Sequence, residues 1–282
     1  MSIYGKKIGL GLLGAVFTET PEEQIKLLAE IGFDSVFSDW KRGDHTKNIA
    51  KAAKENGLIY QSVHAPFRKI ELIWDEGEGG DAVLSELIEC LDDCASVGVG
   101  IMVCHVWKGF GDEDHRSELG VERFRKLLNH AEKVGVKVAF ENTEGEQYLE
   151  LLKEKLWDHP AAGFCIDTGH EMCYNYSRDM ITKYGENGKL IATHINDNMA
   201  ITGDKITWLD DSHLVPFDGV GNWQNIANRL NAVGYDGILT AELTVKDKPE
   251  RNVNCIYAGL DLRSYLTLVY ERLSKFAEMM QK

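Results

Sequence analysis

The feature that most constrains the fold is an alternation, repeated eight times, of a short apolar run with a longer amphipathic stretch of helical periodicity. Several amphipathic stretches end in a glycine that can take the left-handed conformation and turn the chain toward the next apolar run. This pattern is typical of βα units, whose strands pair in parallel. We expect strands at Ile8 to Leu13, Ser35 to Phe37, Ile59 to His64, Ile101 to His105, Lys137 to Glu141, Gly163 to Asp167, Leu190 to His194 and Gly237 to Glu242.

Chain length and motif content decide how these units are arranged. Eight units in 282 residues suit an α/β barrel, which typically occupies roughly 250 residues. A doubly wound open sheet is the alternative, but no G-x-G-x-x-G motif lies at a strand-to-helix turn and no domain boundary is evident. The sequence therefore predicts an α/β protein with a single (β/α)8 TIM barrel, residues 1–282 forming one domain.

Charge and cysteine content bear on partners and location. A net charge of −14 opposes attraction to nucleic-acid phosphates and argues, weakly, against a nucleic-acid partner. Six scattered cysteines without a C-x-x-C pair fit a reducing cytosol. The apolar run from Ile8 to Phe17 resembles a secretory signal but lacks an A-x-A-like cleavage site, and no later run approaches the ~20 residues that cross a bilayer. We expect a cytoplasmic protein without a membrane segment.

Ionisable residues close six of the eight expected strands. In a barrel these strand ends converge on one mouth. A lone histidine there is more simply explained as a hydrogen-bonded structural residue, but Glu141 and Glu242 end apolar runs where an unpartnered acid is costly. Clustered carboxylates and imidazoles would repel and desolvate at a cost unless they shared cations or protons, which favours a metal site. The six residues are His64, His105, Glu141, Asp167, His194 and Glu242.

Other candidates lie in the loops that follow the strands. The long seventh loop, Asn196 to Asn222, carries Asp211 and His213, and loops of this length often bind ligands. After the sixth strand, we expect Thr168 and Gly169 to form a turn that lets His170 reach the mouth. Four aromatic residues follow strand ends and offer flat faces to a sugar ring or a base, although core packing explains each equally well: Trp40, Phe67, Trp107 and Trp208.

With these residues in hand, the chain resembles the xylose isomerase-like TIM barrel superfamily, which joins sugar and sugar-phosphate isomerases and epimerases with endonuclease IV. The resemblance covers essentially the whole chain. Its motifs are HAPF from His64, ENT from Glu141, CIDTGH from Cys165, HINDN from His194, DSHLVPFDG from Asp211 and AEL from Ala241. In the epimerases a single divalent ion is held by four residues from strands five to eight, which implies the ligand set Glu141, Asp167, His194 and Glu242.

Endonuclease IV adds further ligands that build a three-zinc site, and the corresponding residue types are also present here. They are His64, His105, His170, Asp211 and His213. The four-residue set suits Mn²⁺, Mg²⁺ or Co²⁺, whereas the larger set shifts the preference toward Zn²⁺, with up to three ions. Two departures count against the nuclease: DTGH stands where it typically has DTCH, and DSHLVPFDG stands where it has DRH and IGEG.

The resemblance implies a metal-dependent isomerase or epimerase that converts a small sugar, sugar phosphate or polyol-derived ketone through a metal-stabilised enediolate. Glu141 and Glu242 are then the expected proton-transfer residues, with His170 hydrogen-bonding the substrate. One alternative is an endonuclease IV-like multi-zinc hydrolase acting on abasic-site DNA, and another is a non-catalytic carbohydrate-binding barrel. The acidic surface also permits a homo-oligomer.

Overall fold

The computed structural model describes residues 5–14, 16–111, 113–200 and 206–281. Its eight strands form one parallel sheet in the order β7-β6-β5-β4-β3-β2-β1-β8. A parallel bridge between Ile195 and Ala241 links the two end strands, so the sheet forms a nearly closed barrel and the predicted fold is confirmed. The strands are β1 Ile8–Gly11, β2 Ser35–Asp39, β3 Ile59–His64, β4 Ile101–Cys104, β5 Lys137–Glu141, β6 Ala162–Asp167, β7 Leu190–His194 and β8 Leu239–Ala241.

Helices lie between the strands and around the barrel. They are α1 Pro21–Ile31, α2 His45–Glu55, α3 Glu78–Val97, α4 Glu118–Val134, α5 Glu146–Leu156, α6 Thr168–Cys173, α7 Met180–Gly185, α8 Trp223–Ala232 and α9 Leu262–Met279. The short helix α6 replaces the turn that the sequence predicted after β6. It forms because the Asp167 carboxylate accepts a hydrogen bond from the His170 backbone N–H (2.7 Å) and caps the helix. No described helix is long and apolar enough to cross a membrane.

The strands are buried on both faces, as expected for a parallel sheet covered by helices. All six residues of β6 are buried, for example. Strand ends differ from the sequence prediction where the neighbouring strand limits the pairing. The last strand, expected from Gly237 to Glu242, is confined to β8 because its ladder with β1 pairs only Leu239–Ala241 with Ile8–Leu10. Glu242 therefore lies just beyond the strand, at the barrel mouth.

A buried arginine holds the segment that follows β3. This segment forms part of the wall of the mouth. Arg123 of α4 is 3% exposed. Its guanidinium donates hydrogen bonds to the backbone carbonyls of Ile73 (2.9 Å), Asp75 (2.6 Å) and Gly77 (3.2 Å). It also donates to the carboxylate of Asp81 (3.0 Å). One side chain thus satisfies several carbonyls that lack a regular secondary-structure partner.

Replacing Arg123 with methionine is expected to lower the free energy of unfolding by about 3 kcal/mol, because the carbonyls and Asp81 lose their donor. The midpoint of urea denaturation measures the effect. Arg125→Met is the matched control, since Arg125 lies on the same helix but is partly exposed and, within the described part of the chain, pairs only with Glu122. Equal midpoints for the two variants would show that the Arg123 bonds do not stabilise the fold.

Candidate metal centre and cavity

The barrel brings all nine candidate ligand residues to the carboxyl ends of its strands. Glu141, Asp167 and His194 end strands β5, β6 and β7. His64 ends β3, and Glu242 follows β8. His105, His170, Asp211 and His213 come from the loops and the short helix α6 beyond those ends.

Glu141 is the hub of the cluster and is wholly buried. Its Oε2 lies 3.2 Å from His64 Nε2 and 3.0 Å from His105 Nε2. Its Oε1 lies 2.7 Å from His194 Nδ1. Burial alone would raise the pKa of Glu141, but the charge of His194 and the hydrogen bonds from the three histidines outweigh it and hold the pKa well below its usual range. Glu141 is therefore ionised.

His194 joins Glu141 to a second carboxylate. Its Nδ1 lies 3.1 Å from Glu242 Oε2, while its buried Nε2 makes no hydrogen bond within the described part of the chain. Ligand atoms of Glu141, Asp167, His194 and Glu242 all lie within 4.8 Å of one another. Burial raises the pKa of Asp167 to about 6, because the charged form loses its hydration. Three carboxylates and one imidazole thus share a small volume, in which Glu242 is partly exposed and the other three are buried.

This donor set fits a divalent cation. Buried carboxylates at such separations repel one another, and a bound cation compensates that repulsion. Ligand atoms held ~2.0–2.2 Å from one ion lie roughly 3 Å apart, as the His194 Nδ1 contacts of 2.7 Å and 3.1 Å do. Carboxylate and imidazole donors together suit Mn²⁺, Co²⁺ or Zn²⁺. The four residues are thus candidate ligands by both charge and spacing.

Four further groups of candidate ligands adjoin this set, and two of them contain the remaining predicted histidines. His64 and His105 form one of these two with Glu141, which also belongs to the central set of four. The other contains Asp167, His170 and His213. Asp211 lies beside it, with its carboxylate 2.9 Å from His213 Nε2 and 3.6 Å from His170 Nε2. The mouth therefore offers several overlapping ligand groups around the central set.

The pKa of His213 makes the stability of the metal-free protein depend on pH. Burial by itself would lower this pKa, but the adjacent Asp211 carboxylate raises it from 6.5 to about 9. Because the folded value exceeds the unfolded one, protonation of His213 contributes stability in full below pH 6.5, and this contribution is lost as the pH rises through 9.

The thermal unfolding midpoint of chelator-treated protein is therefore expected to fall by several degrees between about pH 6.5 and 9.5. His213→Asn should make this decline shallower. Asparagine is a suitable replacement because His213 has a backbone φ of 45°, in the left-handed region that asparagine tolerates. Parallel pH profiles for the two proteins would contradict the prediction.

Buried polar residues missed by the sequence analysis position the ligands. The Asn142 side chain donates to the Asp167 carbonyl (2.9 Å) and accepts from the Asp167 N–H (2.8 Å). Asn196 donates to Asp167 Oδ2 (2.8 Å). The Asp197 carboxylate accepts four hydrogen bonds that fix the conformation of the seventh loop. The donors are the N–H groups of Asn198, Phe217 and Gly221 and the indole of Trp223. These three residues stand beside predicted ligands in the ENT and HINDN motifs, and that position in the sequence could have identified them.

A cavity of 560 Å³ opens above the ligand cluster, a size typical of small-molecule sites. Glu242 lines it, whereas Glu141, Asp167 and His194 lie beneath and do not. The other candidate ligands that line the cavity are His64, His105, His170, Asp211 and His213. Of the four residues in the central set, only Glu242 is therefore placed to contact a ligand in this cavity.

The four predicted aromatic contacts divide into two pairs. Phe67 and Trp208 line the cavity. Trp40 does not, because its indole N–H is bonded to Asp93 of α3 (2.7 Å) and its ring borders a separate surface depression. Trp107 stacks on Tyr148, with ring centroids 4.0 Å apart, and lines a neighbouring cavity instead. Position after a strand end did not determine where the Trp40 and Trp107 rings point.

The fold and these ligand groups define a TIM barrel with a candidate metal centre at the carboxyl ends of its strands. The model of the xylose isomerase-like TIM barrel family matches residues 25–256. The chain therefore belongs to this family, as its motifs suggested.

Two curated relatives match parts of the chain. An uncharacterized protein of Sinorhizobium fredii is 29% identical over 51% of this chain and 47% of its own length. An uncharacterized protein of Methanocaldococcus jannaschii is 22% identical over 76% of this chain and 72% of its own length. The match thus spans about half of the first relative and nearly three quarters of the second.

Solved structures share the fold across almost the whole chain. A xylose isomerase domain protein of Alicyclobacillus acidocaldarius has a TM-score of 0.73 at 20% identity, covering 98% of this chain and 99% of its own. The 3-keto-D-glucoside 4-epimerase of E. coli has a TM-score of 0.71 at 19% identity, covering 95% and 99%. An IolI protein with a bound zinc atom has a TM-score of 0.75 at 16% identity, covering 96% and 98%. Sugar epimerases are thus among the structural neighbours.

Proposed function

We propose that this protein is a divalent-metal-dependent isomerase or epimerase of a small sugar or polyol-derived ketone. The observation that carries the proposal is the placement of Glu242. Glu242 lines the cavity and its carboxylate contacts His194 Nδ1, whereas Glu141 is buried behind His64 and His105. A carboxylate in this position can exchange a proton with a substrate while the buried acids stay with the ion.

The ligand cluster supports a division of roles. A divalent ion held by Glu141, Asp167, His194 and Glu242 would polarise a substrate carbonyl and its neighbouring hydroxyl and stabilise the enediolate. Glu242 is then the base that removes the proton beside the carbonyl. Glu242 stays ionised because its pKa is about 2. Burial alone would raise this pKa, but the charge of His194 and the hydrogen bond that His194 donates lower it. His170 lines the cavity and is placed to contact substrate oxygens, whereas both ring nitrogens of His213 are already bonded, to Asp211 and to the Glu242 carbonyl.

The proposal is tested by exchange of carbon-bound protons. Protein reconstituted separately with Mn²⁺ and Zn²⁺ is incubated in D₂O with aldoses, ketoses, their phosphates and keto derivatives of cyclic polyols. We expect NMR to show loss of the proton beside the carbonyl of one substrate class, only with metal-loaded protein. Absence of exchange across the panel would refute the proposal, and sugar binding without exchange would favour a carbohydrate-binding barrel.

A multi-zinc phosphodiester hydrolase is the second candidate, and one observation favours it. The central set and two groups that adjoin it contain eight of the nine predicted ligands, and the ninth, Asp211, contacts His213. Clustered zinc ions activate hydroxide and stabilise a leaving oxygen. About three zinc ions per chain by elemental analysis, with incision of duplex DNA at an abasic site, would establish this function. About one ion per chain, replaceable by manganese, supports the isomerase.

A further inference from the structure

A second cavity of 380 Å³ adjoins the cavity above the ligand cluster. The two share four lining residues: Gly109, Phe110, Glu144 and Tyr174. The first cavity, with 560 Å³, is by itself large enough for a small-molecule site, for which roughly 300–1,000 Å³ is typical. The second volume is therefore additional space next to the first, and Glu242 does not line it.

Aromatic rings form much of the wall of the second cavity. Phe110 is 41% exposed and its ring lies 5.6 Å from that of Tyr174. Tyr176, 58% exposed, stands at the rim. The Trp107 indole forms another part of the wall, and a Cβ on Gly145, beside it, would lie only 2.4 Å from its ring. Flat apolar faces of this kind pack against the C–H faces of a sugar ring.

Polar groups in the same wall suit hydroxyl groups. Glu144 accepts a hydrogen bond from the Gly109 N–H through Oε1 (3.0 Å), and this residue lines both cavities. Gln147 also lines the second cavity. Stacking faces combined with a few hydrogen-bonding groups match a carbohydrate better than a purely apolar ligand.

The exposed ring of Tyr176 is held in place. Tyr176 and Ser177 both have a backbone φ of 55°, a left-handed conformation that is costly for these residues. The Arg178 guanidinium lies 5.3 Å from the centre of the Tyr176 ring and is itself paired with Glu146. Such strain persists only where surrounding contacts fix the conformation, so the ring is pre-positioned at the rim.

We propose that the second cavity binds a second sugar ring, so that the substrate is a two-ring carbohydrate such as a disaccharide or glycoside. The reacting ring lies against Glu242 in the first cavity, and the other ring packs on Phe110 and Tyr176. The choice of substrate class rests on the proposed function, but binding of the second ring does not require turnover.

Calorimetric titration of the Mn²⁺-loaded full chain with matched sugar pairs tests the proposal. The pairs are D-fructose with maltulose and D-glucose with maltose. In at least one pair we expect a Kd about tenfold lower for the disaccharide, the gain expected from one aromatic packing contact. In Phe110→Ala and Tyr176→Ala the ratio of the two Kd values should fall toward one. Ile256→Ala, an equally exposed side chain (58%) away from both cavities, should leave the ratio unchanged.

Equal Kd values within both pairs, binding of none of the four sugars, or a ratio that survives both aromatic substitutions would overturn the proposal. Circular dichroism checks that each variant folds. The test is separable from that of the proposed function. A preference for the disaccharide without proton exchange would support the second-ring site and refute the isomerase. Proton exchange with monosaccharides and no preference for the disaccharide would support the isomerase and refute the second-ring site.

Discussion

Glu242→Gln is expected to lower the turnover of an identified sugar substrate by about 10³-fold, within the range that a general base contributes. The substitution keeps the size of the side chain and an oxygen beside His194, but the amide cannot accept the substrate proton. The rate of solvent-deuterium incorporation, measured by NMR under saturating substrate, reports this step directly. We expect kcat to fall far more than KM changes, because the group acts in the transition state.

Two controls make this result specific to the position of Glu242. Glu278→Gln changes the same functional group on the exposed surface of α9 and should leave exchange unaffected. Metal content measured on the Glu242→Gln protein separates loss of the base from loss of the ion. Undiminished exchange in a fully metal-loaded variant would exclude Glu242 as the base and leave Glu141 as the remaining candidate.

Glu141→Ala is expected to weaken metal binding by at least about 100-fold, since loss of even an outer partner of a metal ligand costs 10- to 100-fold. The carboxylate contacts His64, His105 and His194. Within the described part of the chain, Glu141 alone belongs both to the central set and to the group that contains His64 and His105. Elemental analysis and competition with a chromogenic chelator measure the loss.

Comparison with His213→Asn shows how many ions the wild-type protein holds. His213 belongs to a ligand group without Glu141. With a single ion at the central set, Glu141→Ala empties the protein and His213→Asn leaves its metal content unchanged. With three ions, each of the two variants loses a different fraction of the bound metal. Wild-type metal content in the Glu141→Ala protein would contradict the assignment of Glu141 as a ligand.

Much of the architecture was predictable because it depends on short-range patterns. Eight alternations of apolar runs and amphipathic helices specify βα units, and parallel units of this number close into a barrel. Chain order then places every strand end at one mouth, so residues such as Glu141 and Asp167 could be assigned to one site without coordinates. The sequence by itself therefore determined the fold and the residues that meet at the mouth.

Side-chain directions and contacts between distant segments depended on tertiary structure. Trp40 and Phe67 both follow strand ends, yet only Phe67 lines the cavity, because the Trp40 indole finds its hydrogen-bond acceptor on α3. The difference in access between Glu141 and Glu242, and the second cavity beside Phe110, likewise arise where several loops pack together. Hydrophobic periodicity specifies which face of an element is buried, but the neighbours that a side chain meets are set by three-dimensional packing.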